Sequence, residues 1–186
     1  MKKSTQNLLI KMGVFLVSVI ILFGVVFNVQ IAHSNIMYPS IKDGDLIISF
    51  KLDKFFNNDD VVLYTTTTED GKTINQFGRI VAQEGDDISI SSQGVLNING
   101  MLPAEEVFYP TVLPNDAEAN METTVDEDSV YILNDFRTNT ADSRVYSSIP
   151  KSDIKAKVVF IVRRRGIWKP AFGYSPYGQL PPAGLD

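Results

Sequence analysis

Ser34-Asn35-Ile36-Met37-Tyr38-Pro39-Ser40-Ile41-Lys42-Asp43-Gly44-Asp45-Leu46-Ile47-Ile48-Ser49-Phe50 is the stretch on which the fold turns. Before it, from Leu8 onward, the chain is predominantly apolar. After it the apolar residues come in short β-branched runs. Within it, Lys42-Asp43-Gly44-Asp45 reads as a turn, because Gly and Asp accept the backbone angles that a reversal needs. Leu46 to Phe50 is the first strand-like run.

Downstream, Val61-Val62-Leu63-Tyr64 is a short run followed by four threonines. Ile88-Ser89-Ile90 and Leu96-Asn97-Ile98 alternate apolar and polar residues, and Asn99-Gly100 is a hairpin-turn pair. Val130-Tyr131-Ile132-Leu133 and Val158-Val159-Phe160-Ile161-Val162 are further strands. No long helical periodicity follows Ser34, so the reading is a mostly β, antiparallel domain with irregular connections. Residues 101–127 are rich in Pro, Glu, Asp and Thr and read as a surface excursion. Residues 175–186 form a flexible tail rich in Pro and Gly. Arg163-Arg164-Arg165, with Trp168 and Lys169, reads as a solvated strand end.

Upstream, Met12 to Val29 carries only Ser18 and Asn28 as notable polar residues, and Leu8-Leu9-Ile10 and Ile31-Ala32 extend the run. A spanning helix needs about 20 apolar residues. The expected organisation is a cytoplasmic N-terminus (1–7), a transmembrane helix (8–32), an extracytoplasmic β domain (33–174) and the tail. Lys2, Lys3 and Lys11 precede the span and orient the N-terminus inward. A cleaved signal peptide would have a shorter apolar core, and Ala32-His33-Ser34 is a poor cleavage site; an uncleaved anchor is the reading adopted.

The formal net charge of −5 argues against a nucleic-acid partner. The chain has no cysteine and one histidine, which excludes disulfides and thiolate metal sites and disfavours a His-based triad or zinc centre. Asp45, Asp86 and Asp135 read as turn residues, and no metal or cofactor is expected.

Four segments resemble, in order, those of type I signal peptidases. Ser34-Asn35-Ile36-Met37-Tyr38-Pro39-Ser40 resembles Ser-x-Ser-Met-x-Pro-Thr/Ser, and Gly44-Asp45-Leu46-Ile47 resembles the Gly-Asp-hydrophobic step that follows. Arg79-Ile80-Val81-Ala82-Gln83-Glu84-Gly85-Asp86 resembles Lys-Arg-Val-Ile-Gly-x-Pro-Gly-Asp. Asn134-Asp135-Phe136-Arg137-Thr138-Asn139-Thr140-Ala141-Asp142-Ser143-Arg144 resembles Gly-Asp-Asn-Arg-x-x-Ser-x-Asp-Ser-Arg. The resemblance runs from about Lys3 to Val159. It implies a signal-peptidase-like antiparallel β domain behind one N-terminal transmembrane helix.

In that family a serine attacks the signal-peptide carbonyl and a lysine, its pKa lowered by burial, is the base. The resemblance places these roles at Ile36 and Gly78, which have neither hydroxyl nor amine. It places vestigial oxyanion or site support at Ser34 and Thr140, and a structural ion pair at Asp142 and Arg144. Ile36, Met37, Pro39 and Gly78 are the candidates for lining a peptide groove; Met37 and Pro39 read first as structural residues, and Gly78 as a strand glycine that lets another backbone approach or as a bulge. An oxyanion hole alone leaves roughly 10³–10⁴-fold over water, too little for precursor processing.

The expectation is therefore a pseudoenzyme. Signal-peptidase-like proteins lacking both groups, the SipA type, assist sortase-dependent pilus assembly in Gram-positive bacteria. The resemblance implies a chaperone-like membrane protein that binds an extended segment of a pilin or other exported protein, with sortase as a possible further partner. The alternative is an active serine endopeptidase that removes signal peptides, with Ser34 or Ser40 attacking and Lys42, Lys51 or Lys72 as base. A third reading is a regulatory or decoy subunit of an active signal peptidase.

Overall fold

The computed structural model describes residues 3–68, 70–103, 109–114 and 120–163. Helix α1 runs Lys3–Val26. Ten strands follow: β1 Phe27–Ile31, β2 Leu46–Phe50, β3 Val61–Thr67, β4 Thr73–Gln83, β5 Asp87–Ile90, β6 Leu96–Ile98, β7 Met121–Thr124, β8 Ser129–Leu133, β9 Ile149–Pro150 and β10 Ile154–Val162. A one-turn helix α2, Ser143–Tyr146, precedes β9, and a short 3-10 turn, Lys151–Asp153, precedes β10. The domain is mostly antiparallel β, with one N-terminal helix long and apolar enough to span a membrane.

None of the apolar stretch Gln6–Val26 is buried against the domain. Twenty-one residues at 1.5 Å each give about 32 Å, the thickness of a hydrocarbon core. The helix ends earlier than the sequence suggests. Phe27-Asn28-Val29-Gln30-Ile31 leaves it as β1, paired to β2 with Phe27 opposite Phe50 and Ile31 opposite Leu46. The expected transmembrane segment 8–32 is thus a helix only to Val26, and the β domain begins at Phe27 rather than at residue 33. Phe27, Val29 and Ile31 continue the apolar run of the span; their alternation with Asn28 and Gln30 is the strand signature. Lys51, just past β2, donates its backbone N–H to the Val26 carbonyl at 2.9 Å and its amine to Gly24 at 2.8 Å. Both bonds satisfy carbonyls that a helix C-terminus leaves open.

Seven strands form the main sheet in the order β1-β2-β10-β3-β4-β8-β9, and β6-β5-β7 form a small second sheet. The hairpin at Asn99-Gly100 has positive φ at both residues, 53° and 76°, as a two-residue turn of this kind requires. Met121–Thr124 pairs with β5, so the segment 101–127 is not wholly a surface excursion. Met121-Glu122-Thr123-Thr124 is too short and too polar a run to register as a strand in sequence. The tail 175–186, and Arg164, Arg165, Trp168 and Lys169, lie outside the described residues.

Three apolar clusters lie against the sheets. Ala32, Met37, Ile41 and Ile47 form one, with Ile36, Val61, Phe77 and Val158 packed on it. Val62, Tyr64, Ile80, Val130, Ile132, Ile149 and Ile154 form a second. Val81, Ala82, Ile88, Ile90, Leu96, Val125, Tyr131 and Leu133 join the sheets.

Tyr64 and Tyr131 are fully buried, and desolvation holds both phenols well above their usual range. The unfolded chain ionises its tyrosines near pH 10, so stability is undiminished below that pH and falls as pH rises above it. Urea unfolding of the full chain in micelles should show a lower midpoint at about pH 11 than at about pH 8, with Tyr64→Phe flattening the difference. An unchanged midpoint would mean that these phenols reach water in the folded state.

Candidate functional site

The loop between β1 and β2 is closed at its neck by Ala32 N–H to Asp45 O and Gly44 N–H to Ala32 O, both 2.9 Å. Gly44 adopts φ 85°, which an L side chain resists. The Asp45 carboxylate accepts from the Lys42 N–H at 3.0 Å within the turn. Met37 and Ile41, each 1% exposed, peg the loop into the first cluster. That leaves Ser34 exposed and Ile36, Pro39 and Ser40 half-buried at the rim.

Strand β4 supports this loop with one face and fills the second cluster with the other. On the loop face, Arg79 makes a bidentate pair with Asp135, 2.7 Å for both bonds. It also donates to Ser40 Oγ at 3.1 Å and to Asp59 O at 2.8 Å. Phe77 packs on the same cluster as Ile36. On the opposite face lie Gln76 and the buried Gly78. Gln76 donates to the Tyr64 hydroxyl and, at 2.9 Å, to Ala141 O. A Cβ added at Gly78 would stand 2.3 Å from Ile132 Cγ2 and 3.0 Å from Tyr64 Cε1. The space beside that backbone is occupied.

The third wall is the segment after β8. Asp142 and Arg144 pair at 2.6 Å with both side chains fully buried. Arg144 also donates to the carbonyls of Val112 at 2.5 Å, Arg137 at 2.6 Å and Asn139. Asp142 accepts from the Asn134 N–H at 2.9 Å, and Ser143 Oγ accepts from the Ile132 N–H at 2.9 Å. This network sets the path of residues 134–144, from which the Phe136 N–H reaches Ile36 O at 3.0 Å. Phe136 meets Tyr109 edge-on at 4.9 Å, and Tyr109 meets Tyr38 at 6.2 Å. A partly exposed aromatic shelf therefore lies beside Ile36.

Residues 5–163 of the 186 match the family described as signal peptidase, peptidase S26. The chain belongs to that family. Among solved structures it is similar to a signal peptidase I from Enterococcus faecalis V583, at 16% sequence identity and a TM-score of 0.43, over 57% of this chain and 97% of that one.

All four segments singled out in the sequence lie within the span matched to the signal peptidase family. The structure brings Ile36, Ser40, Arg79, Asp135 and Phe136 together. It does not put Ile36 and Gly78 on one face: Ile36 shares a cluster with Phe77, whereas position 78 points into the cluster of Tyr64 and Ile132. Two of the four groove candidates need correction. Met37 is a core residue and Gly78 is buried, because the loop is held down by the first and the strand is packed tightly at the second. Ile36 and Pro39 remain partly accessible. Thr140 is half-buried, and its carbonyl accepts from the Asp142 N–H at 2.8 Å.

Of the lysines weighed as substitute bases, only Lys42 lies on the loop of Ile36. The Lys42 amine sits 4.8 Å over the Tyr38 ring, Lys51 caps α1, and Lys72 is in the β3–β4 turn. Arg163 reaches back to Asp45 at 3.4 Å and to Ser40 O at 2.9 Å, so it is a staple rather than a free strand end. Among the described residues no cluster of three or more His, Cys, Asp or Glu could hold a metal ion. Sequence reasoning missed Tyr64, Gln76 and Ile132, which flank Gly78, and the Arg79–Asp135–Ser40 link. The partners are remote in sequence, and no local pattern marks them.

The tight fit at Gly78 is testable. Gly78→Ala should destabilise the chain by about 1–3 kcal/mol, the usual cost of overpacking. Ile132→Ala removes the colliding carbon, so the double variant should be less destabilised than the sum of the singles. A denaturation double-mutant cycle measures this coupling; strict additivity would mean that Ile132 does not oppose a side chain at 78.

Proposed function

We propose that this chain is a non-catalytic signal peptidase relative that holds an extended segment of an exported protein without cutting it, and that it serves sortase-dependent pilus assembly at the membrane. The observation that carries this reading is the state of the two positions where the family's chemistry is expected. Ile36 offers an alkyl group. At Gly78 there is no amine, and Ile132 and Tyr64 stand where a side chain would begin. A nucleophile and base cannot be recovered by small shifts of neighbours.

A binding role suits the backbone that remains. Strand β4 pairs with β3 along its length from Thr73, but its ladder with β8 begins only at Arg79 opposite Leu133. From Thr73 to Phe77 one edge of β4 is taken by no described strand. An extended peptide can add to such an edge through main-chain hydrogen bonds, next to Ile74, Phe77 and the aromatic shelf. The pilus assignment rests on resemblance to inactive relatives. Lys2, Lys3 and Lys11 ahead of the span put the domain outside the cytoplasm.

The full chain in nanodiscs, incubated with a signal-peptide-bearing precursor, should give no product above the precursor alone while retaining it in a pull-down. Cleavage that disappears in Ser34→Ala or Ser40→Ala would overturn the reading. A photo-crosslinker at Ile74 in cells should capture a pilin segment; capture of an active signal peptidase instead would favour a regulatory subunit and reject the pilus role.

A further inference from the structure

Lys51 fixes the start of the β2–β3 loop at the last turn of α1, through its bonds to Val26 O and Gly24 O. With α1 as a membrane span, residue 51 sits where the span ends. The residues that follow are unusual for a solvated loop. Leu52 is 58% exposed and Phe55 is 85% exposed, whereas the adjacent Phe56 turns inward onto the second cluster. The loop is built to hold Phe55 out. The Phe55 N–H bonds the Asp53 carboxylate at 2.9 Å, and the Asn57 N–H bonds Asp60 at 2.8 Å. The amine of Lys157 on β10 clamps both carboxylates, at 3.7 Å to Asp53 and 2.7 Å to Asp60. Asp53 and Asp60 are thus paired toward the sheet, while Lys54, exposed like Asp59 further along the loop, stands beside the exposed apolar pair.

The apolar surface does not stop at the loop. Phe23 stacks on Phe27 at 4.6 Å, and Phe27 contacts Phe50 at 5.5 Å, so the helix surface continues onto the sheet. Val29 and Phe160 stand opposite Ile48 from its two sides, 49% and 67% exposed.

We infer that the β2–β3 loop is a second membrane anchor, with Leu52 and Phe55 inserted among the acyl chains of the outer leaflet and Lys54 among its anionic headgroups. The occupant is lipid because the bilayer is already at this level through α1, and apolar insertion beside a cation is the pattern by which proteins hold a membrane interface. The inference holds whether or not the cleft cuts peptides.

The chain has no cysteine, so one can be introduced cleanly. Full-length Phe55→Cys, carrying an environment-sensitive fluorophore, is placed in vesicles of phosphatidylcholine and phosphatidylglycerol. Emission should shift to the blue, with several-fold stronger quenching by lipid brominated on the acyl chain than by aqueous iodide. Gln93→Cys, exposed in the turn before β6 and on the side of the β1–β2 loop rather than of α1, should show the reverse. A label at position 55 quenched by iodide as readily as that at position 93 would overturn the anchor. A label shielded from both quenchers would place it against another copy of the chain and overturn the lipid assignment.

Discussion

The candidate site hangs on the buried pair of Asp142 and Arg144. Burying two charges is costly, and the cost is met only when every donor and lone pair finds a partner. Here the guanidinium also takes the carbonyls of Val112, Arg137 and Asn139, while Asp142 takes the Asn134 N–H. These bonds connect the segment after β8 with the one around Val112. Three further contacts depend on the path they impose: Asp135 to Arg79, Phe136 to Ile36, and Ala141 to Gln76. Removing one charge would leave the other buried and unpaired, so the pair is kept by the fold's need for it, independently of any chemistry nearby.

Strand β4 shows how a site is partitioned by a two-residue period. Arg79 and Phe77 face the loop of Ile36; Gln76 and Gly78 face Tyr64 and Ile132. A change at 78 is therefore felt in the second cluster and a change at 79 in the loop. The two faces differ in how they have been filled. On one, Arg79 still ties Ser40 and Asp135 together. On the other, an isoleucine methyl and a tyrosine ring close on bare backbone. A position that had merely lost its side chain would leave a void, and packed interiors lose stability through voids. Close contact at Gly78 means that glycine is the residue its neighbours require.

What was legible in the sequence follows from how locally each feature is encoded. Gly44-Asp45 and Asn99-Gly100 are turn and hairpin residues whose partners lie within a few positions, and they appear where their chemistry puts them. The short β-branched runs became strands for the same reason. The end of the helix was missed because Phe27, Val29 and Ile31 continue the apolar run of the span, and only the pairing with β2 shows their alternation with Asn28 and Gln30 to be a strand. That Met37 is structural was legible; that it packs with Ile41 and Ile47 was not. The neighbours of Gly78 come from β3 and β8, 14 residues upstream and 54 downstream, 78 − 64 and 132 − 78, and no spacing rule reaches that far.

The order of elements also sets how close the cleft lies to lipid. Only β1, five residues long, separates the end of α1 from Ala32, where the loop of Ile36 begins. At about 3.3 Å per residue that is roughly 16 Å of extended chain. A segment that has just emerged from a membrane span therefore reaches the cleft within a few residues. This geometry favours a partner that is itself still in the membrane. Two molecules confined to one bilayer meet at a high effective concentration, so even a weak main-chain pairing of the kind proposed for the β4 edge would hold them together. A peptidase gains turnover from the same proximity; a binder without catalytic groups gains occupancy, and releases its segment intact when the partner moves on.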